Sequence, residues 1–416
     1  MAPGRLRKFR NCIACTTPQS LADAHWSSAV QFTNLLESLN DWTLTLDGKD
    51  GVTVAYIDFA KAFDSDSYQK LCHKLLGYGI SGDMLTWIEN FLSERTQCTR
   101  VNGSLSSSRQ LLSGVIQGSC LGPILFVLYI NDIVKLFDEQ CTCKLYADDL
   151  KLYTCANFSD SASMLQKYLA KLVHWSQIWQ LNISHKKCCI LPIANTTCNQ
   201  VFCLGPNPLH NVSTVKDLGI FVVDRLAFNC HINNIVARAS ARANLIHKCF
   251  TSKDVTTMTR AFVVYVRPLL EYASPVWSPY LLKDIKRVES VQRRFTKRLC
   301  GMSNLSYASR LKALNLHTLE YRRLEHDLIY VYKILFGRVT FDHCKMFTVT
   351  HYVKTRGHQW KLYPTHCYTN VRKHFFCERV IAPWNSLKIT PDTVQSIATF
   401  KSLVNRSDLS GFLHLL

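Results

Sequence analysis

Lys144-Leu145-Tyr146-Ala147-Asp148-Asp149-Leu150-Lys151-Leu152-Tyr153 sets two adjacent carboxylates between two short alternating apolar runs. That pattern predicts a tight β-hairpin with the acids at its turn. Like charges side by side are unfavourable unless a positive charge compensates them. A hard divalent cation such as Mg²⁺, which prefers carboxylate oxygens, is the usual compensator. Taken alone, an Asp-Asp pair is more often a solvated turn than a metal site. Two features upstream change the balance, a third carboxylate at Asp58 and a glycine-rich segment that lies between.

Asp58 closes Gly51 to Phe59, which alternates like a strand with Val52, Val54, Tyr56 and Asp58 on one face. If this strand neighbours the hairpin in one sheet, Asp58, Asp148 and Asp149 converge at one edge. Such a trio can hold two metal ions about 3.5–4 Å apart, the arrangement that clamps the attacking and leaving oxygens of phosphoryl transfer. Between the acids runs Ser113-Gly114-Val115-Ile116-Gln117-Gly118-Ser119-Cys120-Leu121-Gly122-Pro123. Its glycines permit close backbone approach to a ligand, and Gln117 offers a side-chain amide. Each element by itself is more often structural than catalytic; in this order they are far more specific.

The composition agrees with a polyanionic partner. Across 416 residues, 49 Lys and Arg against 30 Asp and Glu leave a formal charge of +19, well beyond what solubility needs. A 47% hydrophobic content is ample for a packed core in two or three domains. The first ten residues are basic (Arg5, Arg7, Lys8, Arg10) and no apolar signal core follows them. The 18 cysteines are therefore read as reduced thiols of an intracellular protein, many of them buried as small apolar residues. Cys12 and Cys15 have a zinc-like spacing without a second pair, and His343-Cys344 and His366-Cys367 do not complete one. The longest apolar run, Pro123 to Ile130, falls far short of the roughly 20 residues of a membrane span.

Further along, Leu71 to Leu92 has helical spacing broken by Gly77, Gly79 and Gly82. Thr96 to Leu112 suggests a hairpin about Asn102-Gly103, Pro123 opens a helix running to Ile133, and Ser161 to Trp179 forms another. Polar residues and prolines around 192–214 mark a boundary, after which the chain reads as mostly helical. Within 281–301, Ile285, Val288, Val291, Phe295 and Leu299 form an apolar stripe at helical spacing. Lys286, Arg287, Arg293, Arg294, Lys297 and Arg298 occupy the other faces, so this basic amphipathic helix suits a phosphate backbone as well as it suits bulk solvent.

These blocks carry a resemblance. Tyr56-Ile57-Asp58-Phe59-Ala60-Lys61-Ala62-Phe63-Asp64 resembles the first palm motif of reverse transcriptases, and Gly114 to Pro123 is similar to their second. Tyr146-Ala147-Asp148-Asp149 resembles their metal-binding box. The wording, including Leu125-Phe126 and Tyr129-Ile130-Asn131-Asp132, looks like the non-LTR (LINE-type), jockey-like retrotransposon branch. The similarity continues through Trp179 to Asn182, Asp217 to Ile220, Tyr265 to Tyr272, Val291 to Leu299 and Trp384-Asn385.

The resemblance implies an α+β fold: residual fingers in 1–50, a palm of antiparallel sheet and helices in 51–222, a helical thumb in 223–301 and an extension in 302–416. It implies an RNA-directed DNA polymerase that uses two Mg²⁺ ions, or Mn²⁺, with an RNA template, a DNA primer or target, and dNTPs. Asp58 and Asp148 would be the principal metal ligands and Asp149 the third. Phe59, Phe63, Gln117 and Gly118 would line the nucleotide, with Phe63 as the gate against a ribose 2′-OH. Lys187, or its neighbour Lys186, would donate a proton to the leaving pyrophosphate. Asp217-Leu218-Gly219 would belong to a hairpin that grips the primer. Action in the nucleus or cytoplasm is implied, with no membrane.

Departures from the family pattern bear on activity. Ile116 stands where a proline usually precedes the glutamine, and Ser65 to Tyr68 replaces the usual continuation after Asp64. Upstream finger motifs are not recognisable, so an N-terminally truncated copy is expected. A rival reading follows: an inactive relic that keeps RNA affinity through its basic helices.

Overall fold

The computed structural model describes residues 28–154, 158–194, 200–339, 342–349 and 359–415. The basic N-terminal stretch and the Cys12/Cys15 pair lie outside these residues. The chain divides into two units, one of residues 1–25 and 50–213, the other of residues 26–49 and 214–416. The division at 213/214 falls at the edge of the polar, proline-bearing stretch. The first described helix, α1 (Ser28–Asp47), belongs to the second unit although it precedes the first in sequence.

In the first unit β1 (Val52–Ile57) leads into the helices α2 (Tyr68–Gly77) and α3 (Asp83–Leu92). A ribbon of short strands follows: β2 (Thr96–Gln97), β3 (Arg100–Val101), β4 (Ser104–Leu105) and β5 (Arg109–Gln110). Then come α4 (Gly122–Ile130), β6 (Thr142–Tyr146), β7 (Asp149–Thr154), α5 (Phe158–Trp179) and β8 (Cys189–Ile193). The two-residue strands β9 (Cys203–Leu204), β10 (Asn207–Pro208) and β11 (His210–Asn211) end the unit. Five strands make the main sheet in the order β11-β8-β1-β7-β6. β1 is antiparallel to both β7 and β8, and only the short β11 joins in parallel.

The alternation expected of β1 does not become alternating burial. Val52, Thr53, Val54, Ala55 and Ile57 are all at most 6% exposed. The strand is the centre of the sheet and its run is nearly continuous in apolar residues, the pattern of a strand covered on both faces. Ala55 and Ile57 pack with Leu71 and Leu75 of α2, Phe126 of α4, and Leu165, Leu169 and Leu172 of α5. Each such side chain contributes about 1.5–3 kcal/mol on full burial. α4 ends at Ile130 rather than Ile133, and the chain tightens into a 3₁₀ turn over Asn131–Leu136, a frequent way for a helix to finish.

In the second unit α1 buries Leu35, Leu36, Leu39 and Trp42 completely or nearly so. Its Asn40 accepts from Arg372 Nη1 (2.8 Å) and donates to the Lys345 carbonyl (3.1 Å). Asp47 accepts the backbone N–H groups of Tyr368 (2.9 Å) and Thr369 (2.7 Å). α1 is thus tied by hydrogen bonds to the C-terminal residues. β12 (Thr214–Asp217) and β13 (Ile220–Val223) form a hairpin whose two turn residues, Leu218 (φ 44°) and Gly219 (φ 88°), both have positive φ. The helices α6 (Asn229–Cys249), α7 (Leu282–Lys297) and α8 (Leu319–Leu335) follow. The predicted stripe Ile285, Val288, Val291, Phe295 and Leu299 is buried throughout. Among the described residues no helix is long and apolar enough to cross a membrane.

Beneath the first unit's sheet lies a buried charge cluster. Lys74 Nζ sits 2.6 Å from Asp132 Oδ1 and 3.7 Å from the centroid of the Trp179 ring. Asp66 is fully buried beside it, and neither carboxyl oxygen has a hydrogen-bond partner. Burial pushes the Asp66 carboxyl up to about 8, against the pull of Lys74. A carboxyl whose pKa is higher folded than unfolded takes up a proton on folding, so the fold loses stability as pH rises from the ordinary carboxylate range towards 8. Asp66→Asn replaces the titrating carboxyl by an amide that stays neutral at every pH. It is expected to raise the unfolding midpoint by several degrees at about pH 8 and by little at about pH 4, read from thermal melts across that range. A difference that does not change with pH would show that Asp66 is not a buried neutral acid.

Candidate active site

Strand pairing assembles the site. β1 runs antiparallel to β7 with Ile57 opposite Leu150, so Asp58, one residue past β1, lies beside the β6–β7 turn. Tyr146 pairs with Asp149, which leaves a two-residue turn of Ala147 (φ 53°) and Asp148. Asp148 is half-buried, and burial, then the nearby Asp58 charge, hold its carboxyl above the usual range. Asp149 is exposed at the first position of β7. The oxygens of Asp58, Asp148 and Asp149 do not all gather within 4.8 Å of one another. The structure therefore brings Asp58 and Asp148 together and leaves Asp149 at the rim.

The segment after α5 docks on the same strand end. Ala60 N–H donates to the Asn182 carbonyl and Ser184 N–H to the Asp58 carbonyl, both at 2.8 Å. This docking brings Lys187 Nζ to 3.2 Å from Asp58 Oδ1. Of the two lysines left open by the sequence, Lys187 is the one that reaches the carboxylate. Asp58 Oδ1 is otherwise enclosed, with no well-aligned hydrogen bond. Cys188 receives the Asp58 backbone N–H, and burial pushes its thiol up to about 11, so it is no nucleophile.

Around the carboxylates the glycine segment closes against the turn that follows Asp58. Val115 N–H donates to the Phe63 carbonyl and Gly114 N–H to the Asp66 carbonyl, each at 2.8 Å. A Cβ on Gly114 would lie 2.6 Å from Asp64 Cα, so this approach demands glycine. Gln117 is exposed, and its Nε2 donates to Asp64 Oδ1 at 2.8 Å. Gly118 (φ 83°) has open space where a side chain would be. Phe63 is half-buried, its ring stacked on Phe126 at 4.1 Å between centroids.

Phe59 departs from expectation. It is 2% exposed, with its ring turned into the core 6.4 Å from Trp175. Successive residues of extended chain point to opposite sides, so with Asp58 at the site Phe59 cannot line it except through its backbone. Asp64, for which the sequence offers no signal beyond its place next to Phe63, joins the site as the partner of Gln117.

The predicted basic residues lie on α7 and, for Arg298, at its C-terminal cap, in the second unit. Lys286, Arg287, Arg293, Arg294, Lys297 and Arg298 are all exposed. Arg294 donates to Ser240 (3.4 Å) and Arg298 to Asn244 (2.7 Å) of α6, and Arg287 donates to Asn233. His343 and Cys344 join Asp342 in a loose exposed cluster of three ligand types.

Residues 12–220 match the family model for "Reverse transcriptase (RNA-dependent DNA polymerase)". The chain is 26% identical over 313 residues to the "Probable RNA-directed DNA polymerase from transposon BS" of Drosophila melanogaster, over 68% of this chain and 33% of that protein. It is 25% identical over 268 residues to the "RNA-directed DNA polymerase from mobile element jockey" of the same species, over 62% of this chain and 29% of that protein. Similarity to the X-element polymerase is 22% over 269 residues, 61% of this chain and 29% of that protein. The chain thus spans about a third of the length of these relatives. Among solved structures, an apo telomerase from Candida Tropicalis aligns with 77% of this chain and 50% of its own, at a TM-score of 0.40 and 13% identity. With its palm motifs joined on one sheet end and half its length matched to the family, this chain belongs to the reverse transcriptases, on the jockey-like non-LTR branch.

Proposed function

We propose that the first unit is the palm of an RNA-directed DNA polymerase, which joins a dNTP to a primer 3′-hydroxyl on an RNA template. The observation that carries this reading is the meeting of Asp58 and Asp148 at one sheet end, where mutual repulsion is left to be relieved. An enclosed carboxylate oxygen and a second carboxylate with a raised pKa form an all-oxygen donor set that fits a hard divalent cation. Asp58 and Asp148 would hold Mg²⁺, as a pair of ions, with Asp149 at the rim. When bound, such ions neutralise the charge that develops in phosphoryl transfer.

The chain's own groups do the rest. Lys187 balances the Asp58 charge in the free protein, and its exposed stem allows it to swing towards a leaving pyrophosphate. Asp64 holds the Gln117 NH₂, so the amide oxygen is the face offered to a nucleotide. Phe63 excludes a 2′-hydroxyl because Phe126 blocks the ring's retreat. The exposed basic residues of α7 would follow a phosphate backbone. That exposure also supports the second reading, nucleic-acid binding without synthesis; tight, salt-sensitive RNA binding with no dNTP incorporation would decide for it.

Asp148→Asn is expected to abolish extension of a primed RNA template, with the unfolding midpoint close to the parent's. In the parent, protons compete with the cation for Asp148, so the Mg²⁺ concentration for half-maximal extension should fall as pH rises through the acidic range into neutrality. Extension by Asp148→Asn at the parent rate would refute the site.

Phe126→Leu keeps an apolar side chain behind the gate while removing the stacked ring. It should raise incorporation of rNTPs relative to dNTPs several-fold, with dNTP turnover little changed, and Phe63→Val should raise the ratio further. An unchanged ratio in both variants would remove Phe63 from the gate.

A further inference from the structure

Ser93 to Gln110 is exposed at every residue. It is nonetheless ordered chain: Thr96 pairs with Gln110, Gln97 with Arg109, Arg100 with Leu105 and Val101 with Ser104, about an Asn102-Gly103 turn at φ 48° and 89°. An isolated two-stranded ribbon is marginal in water, so a projecting one is suited to gaining a partner. Its charge is one-sided. Arg95, Arg100 and Arg109 lie on it, and after Glu94 no carboxylate occurs until Asp132.

The ribbon springs from an aromatic step. Trp87, Phe91 and Arg95 follow at intervals of one helical turn along α3 and out of its end. Trp87 is 53% exposed and stacks on Phe91 at 6.1 Å and 21°. The Arg95 guanidinium lies 5.1 Å from the Phe91 ring centroid, continuing the column. Of the acids on this helix, Glu89 faces Cys72. The other strand of the ribbon returns directly into the segment that bears Gln117.

We infer that the Trp87–Phe91–Arg95 column and the arginine ribbon form a landing surface for single-stranded nucleic acid, made of residues outside the carboxylate site and outside α7. Phe91 is half-buried and anchors the column to the core, so the exposed Trp87 ring is the one that offers stacking to an unpaired base, while the guanidinium groups offer charge to the phosphates, the two contacts by which single strands are held. Duplex bases present no free face to such a column, which is why the single strand is the occupant. The ribbon does expose Val101 and Leu105, but these are two isolated side chains among Ser, Thr, Gln, Asn and Arg, and its charge is wholly positive from Arg95 onward, which favours a polyanion over an apolar protein surface.

The full chain is titrated, without metal or dNTPs, into a labelled single-stranded RNA oligonucleotide and into the same RNA as a duplex, and anisotropy is read over a salt series. Replacing Arg95, Arg100 and Arg109 together by Gln should weaken single-strand binding about tenfold or more at low salt. It should also flatten the slope of log K against log salt by about 2, at roughly 0.7 per phosphate contact. Trp87→Ala should weaken single-strand binding about tenfold and leave the duplex nearly unchanged. Unaltered thermal midpoints are expected for these exposed sites. A triple variant with the parent's affinity and slope overturns the inference. So does a Trp87→Ala loss equal on single strand and duplex, or a triple variant that loses only self-association of the chain. A parent that binds RNA in this way yet extends no primer sinks the polymerase reading and leaves the surface standing.

Discussion

Everything at the candidate site depends on the register between β1 and β7. Five successive pairs, from Thr53 with Thr154 to Ile57 with Leu150, set Asp58 beside the hairpin turn. Because side chains alternate along a strand, a slip by one residue would turn Asp58 into the core and Phe59 towards solvent. The core opposes that slip, since Phe59 and Ile57 are 2% and 3% exposed and burying their rings and branches is worth several times thermal energy. The turn is equally constrained. Tyr146 must face Asp149 across the ladder, so Ala147 takes φ 53°, a conformation that costs a residue with a Cβ about 1 kcal/mol. The ladder on both sides outweighs that cost, and the two carboxylates are held close against their repulsion.

The glycine segment depends on this frame in turn. Its first glycine can lie on Asp64 Cα only because it lacks a Cβ, and the backbone bonds to Phe63 and Asp66 then set where Gln117 begins. The turn at Ile116 is held by other contacts than a proline ring. The Ile116 carbonyl accepts the Ser119 hydroxyl at 2.7 Å, Ser119 Oγ accepts the Gly122 N–H at 2.9 Å, and a Cβ on Gly122 would meet the Ile116 carbonyl at 2.7 Å. A turn pinned at three points does not need a ring to restrict its φ.

What was legible in the sequence is what short-range physics determines. The β6–β7 turn, the Asn102-Gly103 ribbon, the break between α2 and α3 and the apolar stripe of α7 all follow from period and turn chemistry, and the structure has each of them. Long-range choices were not legible. Nothing local says that α1 packs with residues some three hundred positions away, because Asn40 and Asp47 look like ordinary surface polar residues until Arg372 and Thr369 meet them. The burial of the Phe59 ring was not legible either, because motif membership does not tell which side of an extended chain a ring takes. Asp64 was missed for the opposite reason: its partner Gln117 lies 53 positions further on, and no periodicity links the two.

The basic helix shows how a sequence ambiguity becomes a structural argument. An amphipathic helix with exposed arginines is ordinarily a solvated face, and long side chains pay rotamer entropy whenever they are immobilised. On α7 the three arginines that share one face already spend part of that entropy, since they donate to Asn233, Ser240 and Asn244 along α6. The constant offset of 54 residues between donors and acceptors requires the two helices to run parallel, side by side, so the guanidinium groups form a row. A neutral amide or hydroxyl takes one N–H and leaves the charge whole, whereas a carboxylate partner would have cancelled it. Orientation without neutralisation is the property a phosphate-binding row needs. It is this pre-set row that the proposal of a nucleic-acid face on α7 rests on.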